Sequence, residues 1–294
     1  MRSVTEPARD LDPLARLVDL LDLESIEVDI FRGKQPSESL QRVFGGQVAG
    51  QALVAAGRTV PTDRPVHSLH AYFLRPGDPS VPIVYEVDRI RDGRSFTTRR
   101  VVAIQHGKPI FHLSASFQLL EQGLEHQSPM PLVPDPETLP TMQERMAEHS
   151  DVLGGWFARP RPIDIRYVTD PPLIARDKPG EKEPRSQVWM RAAGTLPDDP
   201  LLHVCLVTFA SDMTLLDSTL TPHNLAMGKD PVSLASLDHA MWFHRPFRAD
   251  EWFLYSQDSP RAGGNRGLAH GEIYTRAGDL VVSVVQEGLI RVLS

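Results

Sequence analysis

The sequence repeats part of itself at a separation of 170 residues. The segment HAYFLRP at His70–Pro76 resembles AMWFHRP at Ala240–Pro246. Single residues also match at this separation or at one residue more: Tyr85 with Tyr255, and Gly107 with Gly278. A repeat of this length is too long for a solenoid unit and indicates a duplicated domain. The chain of 294 residues is long enough for two domains of about 100–150 residues each.

The first copy has the pattern of one helix followed by four strands. Residues 44–60 are rich in Gly and Ala, with apolar positions on several sides, which predicts a helix that other backbone approaches closely. Apolar runs separated by turn signals then predict four strands, at 67–74, 83–91, 95–104 and 110–119. One long helix against a curled antiparallel sheet is a hotdog fold.

Two shorter elements precede this helix. Asp12-Pro13 has the character of a helix start, with Asp as the cap and Pro at the first helical position. The alternation of Ile26, Val28 and Ile30 with acidic residues predicts a half-buried strand.

The second copy contains an apolar segment that is ambiguous when it is taken alone. Residues 201–210 could form a strand, because Val and Thr are common in them. However, Ala210–Leu215 resembles Ala55–Val60, at a separation of 155 residues, and the latter lies in the predicted helix. We therefore predict a helix at 200–216, which must be buried because it is apolar nearly all round.

Residues 121–185 differ in character from both copies. Eleven of the 26 prolines lie between Pro129 and Pro184, and the apolar periodicity weakens. The prediction is an α+β double hotdog, two repeats each with a long central helix packed on a curled antiparallel sheet. Its parts are an N-terminal hotdog at 12–120, a Pro-rich linker and lead-in at 121–185, and a C-terminal hotdog at 186–294 that carries the candidate site.

Composition excludes several classes of function. A net charge of −7 argues against a nucleic-acid partner, because phosphate binding needs a basic face. The single cysteine, Cys205, permits neither an intramolecular disulfide nor a thiolate zinc site. No apolar run approaches the ~20 residues of a membrane span, and the first twelve residues lack the apolar core of a signal peptide. We expect a cytoplasmic protein without membrane partner, metal or cofactor.

Three polar residues in apolar surroundings are candidates for chemistry. Asp212 lies near the end of the predicted buried helix, where the first copy has Gly57. A carboxylate there loses hydration and needs partners, although a helix cap or a salt bridge would also supply them. Ser236 opens a predicted strand at 235–244, and Gln286 interrupts the Val-rich segment at 280–289. Sequence spacing alone does not establish that the three meet.

Five segments carry a resemblance to a known family. They are RVFGGQVAGQAL at 42–53, YFLRPGD at 72–78, RDGRSF at 91–96, SLDHAMWFHRPF at 236–247 and VQEGLIR at 285–291. In this order they resemble acyl-CoA thioesterase II, over a stretch from about residue 12 to the end. The resemblance implies a double hotdog that hydrolyses fatty acyl-CoA to free fatty acid and CoA.

The resemblance also implies which residues carry the reaction. The water-activating trio of the family maps onto Asp212, Ser236 and Gln286, with the carboxylate as base and the other two orienting the water. Many members have Thr where this chain has Ser236, and both residues offer a hydroxyl. Backbone N–H groups commonly bind the oxyanion of such a reaction. Gly45 and Gly46 are candidates for this role, because glycine permits close approach.

Other polar residues have simpler interpretations. His239 and His244 lie five positions apart in a predicted strand and therefore point to opposite faces, which favours structural roles. The arginines of the first copy could meet CoA phosphates, but Asp88 and Asp92 are equally available partners, which favours a solvated face: Arg89, Arg91, Arg94, Arg99 and Arg100.

The residues alone leave two other functions open. An enoyl-CoA hydratase-type hotdog enzyme would need an Asp and a His close together in one hotdog, and no such pair is evident. A non-catalytic acyl-CoA-binding hotdog protein would be favoured by loss of any of the trio, and all three are present. The chain lacks G-x-S-x-G, Walker, G-x-G-x-x-G and H-E-x-x-H motifs. We also expect a homo-oligomer, because an open hotdog sheet leaves an edge and a face to cover.

Overall fold

The computed structural model describes residues 12–36, 42–153 and 160–293. The first half of the chain contains α1 (Pro13–Leu21), β1 (Glu24–Glu27), β2 (Ile30–Gly33), α2 (Gly45–Gly57), β3 (Val66–Phe73), β4 (Ile83–Asp92), β5 (Phe96–Gln105) and β6 (Lys108–Gln118). The four strands predicted after α2 all end within two residues of these bounds. Helix α1 begins as expected, with the Asp12 carboxylate accepting a hydrogen bond of 2.9 Å from the Ala15 N–H.

The second half begins within the segment that the sequence predicted as a linker and lead-in. Its elements are α3 (Met142–Arg145), α4 (Ser150–Leu153), β7 (Ile163–Tyr167), α5 (Pro172–Ala175), β8 (Arg185–Ala192), α6 (Pro200–Ser211), α7 (Asp217–Leu220), β9 (Val232–Ser236), β10 (Asp238–Phe243), β11 (Phe253–Gly263), β12 (Arg266–Thr275) and β13 (Leu280–Val292). Strand β7 pairs with β8, so part of the Pro-rich segment belongs to the sheet. Among the helices in the described ranges, none combines the length and the apolar character that a membrane span requires.

The strands form one antiparallel sheet that runs through both halves. Their order is β1-β2-β4-β5-β6-β3-β10-β13-β12-β11-β8-β7, with β9 paired to β13 beside this path. The halves meet where β3 pairs with β10, and His70 lies opposite Ala240 in that ladder. These two residues are 170 positions apart, which is the separation of the sequence repeat. The two copies are therefore related by an approximate two-fold axis through this pair.

Helices α2 and α6 pack against each other in opposite directions. A Cβ atom added to Gly46 would lie 2.3 Å from the Phe209 carbonyl oxygen, and one added to Gly57 would lie 2.6 Å from the Leu201 side chain. Glycine at these positions lets the two helices approach more closely than larger residues allow. The first turn of α2 consequently lies beside the last turn of α6, which is where Asp212 emerges.

One predicted strand is wrong. The alternation of Ile26, Val28 and Ile30 predicts a single half-buried strand, but the segment is a hairpin of β1 and β2. Asp29 adopts a left-handed conformation with φ of 61° and turns the chain between them. As a result Ile26 and Val28 are 49% and 72% exposed, so the apolar alternation reflects no buried face.

Candidate active site

Asp212 lies where the buried helix α6 ends. The prediction of helix to residue 216 is too long, because Asp212 leaves the helical conformation with φ of −86° and ψ of 0°. Its backbone N–H bonds to the Ala210 carbonyl, and its half-buried carboxylate turns toward the strands. The carboxylate oxygen Oδ1 accepts two hydrogen bonds, from Ser236 Oγ at 2.9 Å and from Gln286 Nε2 at 2.8 Å. Its partners are therefore neutral side chains from the sheet.

Ser236 ends strand β9, whereas the sequence predicted that it opens a longer strand. The predicted strand is divided because its register against β13 shifts by one residue, between Ser236 opposite Gly288 and Ala240 opposite Val285. At this shift Leu237 donates to the Glu287 carbonyl of β13 and accepts from the N–H of Phe73, at the end of β3. This break directs the Ser236 hydroxyl inward to Asp212.

Gln286 completes a closed set of three side chains. It lies in the middle of β13 and is fully buried. Its amide nitrogen donates to Asp212 Oδ1 and also to Ser236 Oγ, at 2.6 Å. The structure thus brings together all three residues that the sequence predicted, from one helix end and two paired strands.

The second carboxylate oxygen of Asp212 faces the first half of the chain. A Cβ atom added to Gly45 would lie 2.6 Å from Asp212 Oδ2 and 2.9 Å from the Phe73 ring. Gly45 is the first residue of α2, whose initial N–H groups have no partner within the helix. The positive end of a helix dipole therefore lies beside this oxygen, and it stabilises negative charge there.

Aromatic side chains form an apolar wall close to this oxygen. Phe44, which directly precedes α2, meets Phe209 of α6 edge to face, with ring centroids 5.1 Å apart. Phe73, at the end of β3, packs on Phe111 at 5.0 Å. Phe44, Phe73 and Phe209 are each half-buried, so the carboxylate has both a polar side and an apolar, partly open side.

His239 has a contact with the trio that the sequence did not predict. Its Nδ1 atom lies 3.0 Å from Gln286 Oε1. Burial lowers the pKa of His239, so the ring is neutral near pH 7. The expected divergence of His239 and His244 is observed, because His244 is exposed and contacts Ser283. Asp238, the residue before His239, accepts from the Glu287 N–H instead. The alternation of β10, which turns Met241 and Phe243 inward with His239, was the signal in the sequence.

Most arginines singled out in the first copy pair with carboxylates. Arg99 and Arg100 lie 2.6 Å from Asp92 and Asp88, as expected for a face of paired charges. Arg89 pairs instead with Asp29, at 2.9 Å. Arg99 departs from the prediction of a solvated face, since its side chain is only 1% exposed. In the described part of the chain, no group of three His, Cys, Asp or Glu side chains could hold a metal ion.

The first copy lacks the same polar set. At the positions that the repeat makes equivalent to Asp212, Ser236 and Gln286, it has Gly57, Val66 and Ala115. Val66 and Ala115 are buried among apolar neighbours. The duplicated fold therefore carries its polar cluster in the second copy, and the first copy contributes Gly45 and Phe73 to the surroundings.

Comparisons with protein families match both copies. The model of the acyl-CoA thioesterase family matches residues 159–289, and that of the acyl-CoA thioesterase N-terminal domain matches residues 34–118. Acyl-coenzyme A thioesterase 8 of Homo sapiens is 42% identical, over 98% of this chain and 92% of its own length. Acyl-CoA thioesterase 2 of Haemophilus influenzae is 41% identical, over 95% of this chain and 98% of its own.

Solved structures share the architecture. The acyl-CoA thioesterase II TesB2 from Mycobacterium marinum is 47% identical and superposes with a TM-score of 0.78, covering 95% of this chain and 99% of its own. A conserved protein with a hot dog fold from Alicyclobacillus acidocaldarius has a TM-score of 0.74 at 18% identity, covering 95% and 98% of the two chains. At that identity the likeness concerns the fold alone.

Proposed function

The chain belongs to the acyl-CoA thioesterase family and is a thioester hydrolase, and we propose that it cleaves fatty acyl-CoA by direct attack of water at one site, built from Asp212, Ser236 and Gln286. The observation that carries this proposal is the closed triangle of hydrogen bonds around Asp212 Oδ1, which leaves Oδ2 directed to the start of α2. A carboxylate held in this way can act on a water molecule from a fixed direction.

In the proposed reaction Asp212 is the general base. Its carboxylate takes a proton from water while the water oxygen bonds to the thioester carbonyl carbon, and the carbonyl oxygen becomes an oxyanion. The tetrahedral intermediate then collapses, the carbon–sulfur bond breaks, and the proton held by Asp212 neutralises the departing CoA thiolate. Ser236 and Gln286 orient Asp212 and the water throughout. The products are a free fatty acid and CoA.

The first turn of α2 is the proposed site for the oxyanion. Gly45 and Gly46 lie at the start of this helix, where backbone N–H groups have no intrahelical partner. Donors placed in this way stabilise the charge that develops on a thioester oxygen. The acyl chain would then extend along the apolar wall of Phe44, Phe73 and Phe209.

Each copy would constitute one hotdog, with α2 and α6 as the two central helices. We propose hotdogs at 12–120 and 186–294, with the segment between them serving as linker and lead-in. A homo-oligomer is also proposed, because exposed aromatic side chains, Tyr72 at 54% and Phe96 at 42%, lie on the sheet. Light scattering of the purified protein tests the oligomer.

The hydratase alternative is less compatible with the geometry. His239 lies near Asp212, but Gln286 separates the two side chains, and His239 is 1% exposed. A histidine in this position does not reach a substrate. The contacts instead favour hydrolysis with the histidine behind the site.

A single-turnover reaction in ¹⁸O-labelled water tests the proposed route. Excess enzyme is mixed with acyl-CoA, quenched at successive times, and analysed by mass spectrometry of both the fatty acid and the intact protein. Direct attack predicts one ¹⁸O atom in each product acid and an unmodified protein at every time. An acyl adduct on Ser236, or label transferred to Asp212, would show a covalent route instead. Release of free thiol from a series of acyl-CoA chain lengths then defines the preferred substrate.

A further inference from the structure

A second layer of hydrogen bonds lies behind Gln286. The amide oxygen Oε1 of Gln286 faces His239 Nδ1 at 3.0 Å, and His239 Nε2 lies 2.8 Å from Ser211 Oγ. All three side chains are at most 1% exposed. These contacts run from Ser211, the last residue of α6, through His239 to the side-chain amide of Gln286. The same amide bonds to Asp212, the residue that follows Ser211.

Counting protons fixes the donor and acceptor of each contact. An ionised carboxylate only accepts hydrogen bonds, so Gln286 must turn its NH₂ group to Asp212 and its oxygen to His239. An amide oxygen also only accepts, and therefore His239 must carry a proton on Nδ1. In the neutral ring Nε2 then has no proton and can only accept a hydrogen bond, so the single hydroxyl proton of Ser211 must turn to Nε2, at 2.8 Å, rather than to the Thr208 carbonyl oxygen, another acceptor at 2.9 Å.

The orientation of a glutamine amide needs such a constraint. The two ends of the amide have nearly the same shape, so packing alone discriminates poorly between them. If the amide were rotated by 180°, its oxygen would face the Asp212 carboxylate, and both Asp212 and Ser236 would lose a donor. His239 opposes this rotation, because its Nδ1–H would then face the NH₂ group.

We propose that His239, held in its Nδ1–H tautomer by Ser211, is a positioning residue that fixes the Gln286 amide with its N–H groups toward Asp212 and Ser236. This role rests on the proposed hydrolytic function of the trio. Neither His239 nor Ser211 needs to touch the substrate or the attacking water. Their effect reaches the reaction through Gln286.

Substitutions of His239 separate this role from simple packing. His239→Asn keeps a donor near the position of Nδ1, whereas His239→Leu fills similar space without one. We expect His239→Leu to lower kcat about 10- to 100-fold with KM changed less than about twofold, from loss of one buried hydrogen bond. His239→Asn should recover most of this loss. His244→Leu, one residue beyond β10 on the exposed face, should retain wild-type kcat.

A double mutant distinguishes failure of this proposal from failure of the proposed function. If His239 acts through Gln286, then adding His239→Leu to Gln286→Ala should lower kcat no further. Additive losses, or equal losses in His239→Leu and His239→Asn, would contradict the positioning role. A Gln286→Ala variant with wild-type kcat would instead contradict the proposed function itself.

The tautomer is measurable in the wild-type protein, whether or not the variants fold. In ¹⁵N NMR of protein labelled at histidine, with the His239 signal identified from His239→Asn, we expect the Nδ1–H form at pH 7.5. Ser211→Ala should shift the signal toward the Nε2–H form, since the donor to Nε2 is lost. An Nε2–H ring in the wild type, or no change in Ser211→Ala, would overturn the proposal.

Discussion

At the scale of single residues, the direction of the Ser236 proton distinguishes two mechanisms. Its hydroxyl donates to Asp212 Oδ1 at 2.9 Å and accepts from Gln286 Nε2 at 2.6 Å. Asp212 is therefore placed to deprotonate either a water molecule or Ser236 itself. In the first case Ser236 only orients, and in the second it forms a covalent acyl-enzyme.

Substituting Ser236 separates these cases. If it orients Asp212 and water, Ser236→Thr should keep kcat within about fivefold, because the hydroxyl remains, whereas Ser236→Ala should lose about 10- to 100-fold. Steady-state thiol release measures both variants, and thermal unfolding serves as the control for folding. Severe impairment of Ser236→Thr together with an acyl-enzyme would favour the nucleophile.

The three residues of the trio could be predicted from the sequence, but the contact of His239 with Gln286 could not. Asp212 and Gln286 are polar residues within apolar segments, and burial makes such residues costly unless they have partners. Ser236 stood out mainly through the family resemblance. The contact of His239 with Gln286 depends on which strands pair and in what register, and periodicity along one strand does not contain that information.

At the scale of elements, the site depends on how closely α2 approaches α6. The start of α2 must reach the end of α6 for Gly45 to lie beside Asp212 Oδ2. Gly46 permits this approach, since a Cβ atom there would lie 2.3 Å from the Phe209 carbonyl oxygen. That oxygen belongs to the backbone and cannot move aside without shifting the helix.

Gly46→Ala is predicted to reduce both stability and activity. Alanine is more favourable than glycine within a helix by about 1 kcal/mol. Overpacking a buried contact costs about 1–3 kcal/mol, and a clash with backbone lies at the upper end of this range. Denaturant unfolding should show a net loss, and kcat should fall because Asp212 shifts with α6. Gly123→Ala is the matched control, because a Cβ atom there meets nothing within 4 Å. Wild-type stability and kcat in Gly46→Ala would contradict this view of the helix contact.

The sequence predicted the bounds of elements well where turn residues separate them. It predicted them poorly where a contact with a residue distant in sequence determines where an element ends. The four strands after α2 have clear Gly or Pro breaks and lie close to the predicted positions. Helix α6 ends at Ser211, and the next residue, Asp212, turns its carboxylate to Gln286 in the sheet. These two residues are distant in sequence. Similarly, the break after Ser236 is a one-residue shift of register against β13, which depends on how the strands pair.

At the scale of the whole molecule, the duplicated fold is asymmetric. The approximate two-fold axis relates the copies closely enough that His70 pairs with Ala240. Nevertheless the positions equivalent to the trio hold no polar side chain in the first copy. The duplication itself could be predicted from the repeat of 170 residues, and so could the difference between Gly57 and Asp212. We therefore predict one active site per chain.

Matched substitutions in the two copies test this asymmetry. Gln286→Ala should lower kcat about 10- to 100-fold, because Asp212 and Ser236 both lose a donor. Gln118→Ala, at the end of the last strand of the first copy, should keep kcat within about twofold. A non-hydrolysable acyl-CoA analogue should titrate to one site per chain by calorimetry. Two equivalent productive sites per chain would show the asymmetry to be wrong.

The most direct test of water activation by Asp212 is the kcat of Asp212→Asn at saturating acyl-CoA. Asparagine preserves the shape of the side chain but cannot accept the proton of water. We predict a fall in kcat of about 10²–10⁴ with the fold retained, as judged by circular dichroism and thermal unfolding. A folded Asp212→Asn protein that keeps more than about a third of the wild-type kcat would contradict the role of Asp212 as the base.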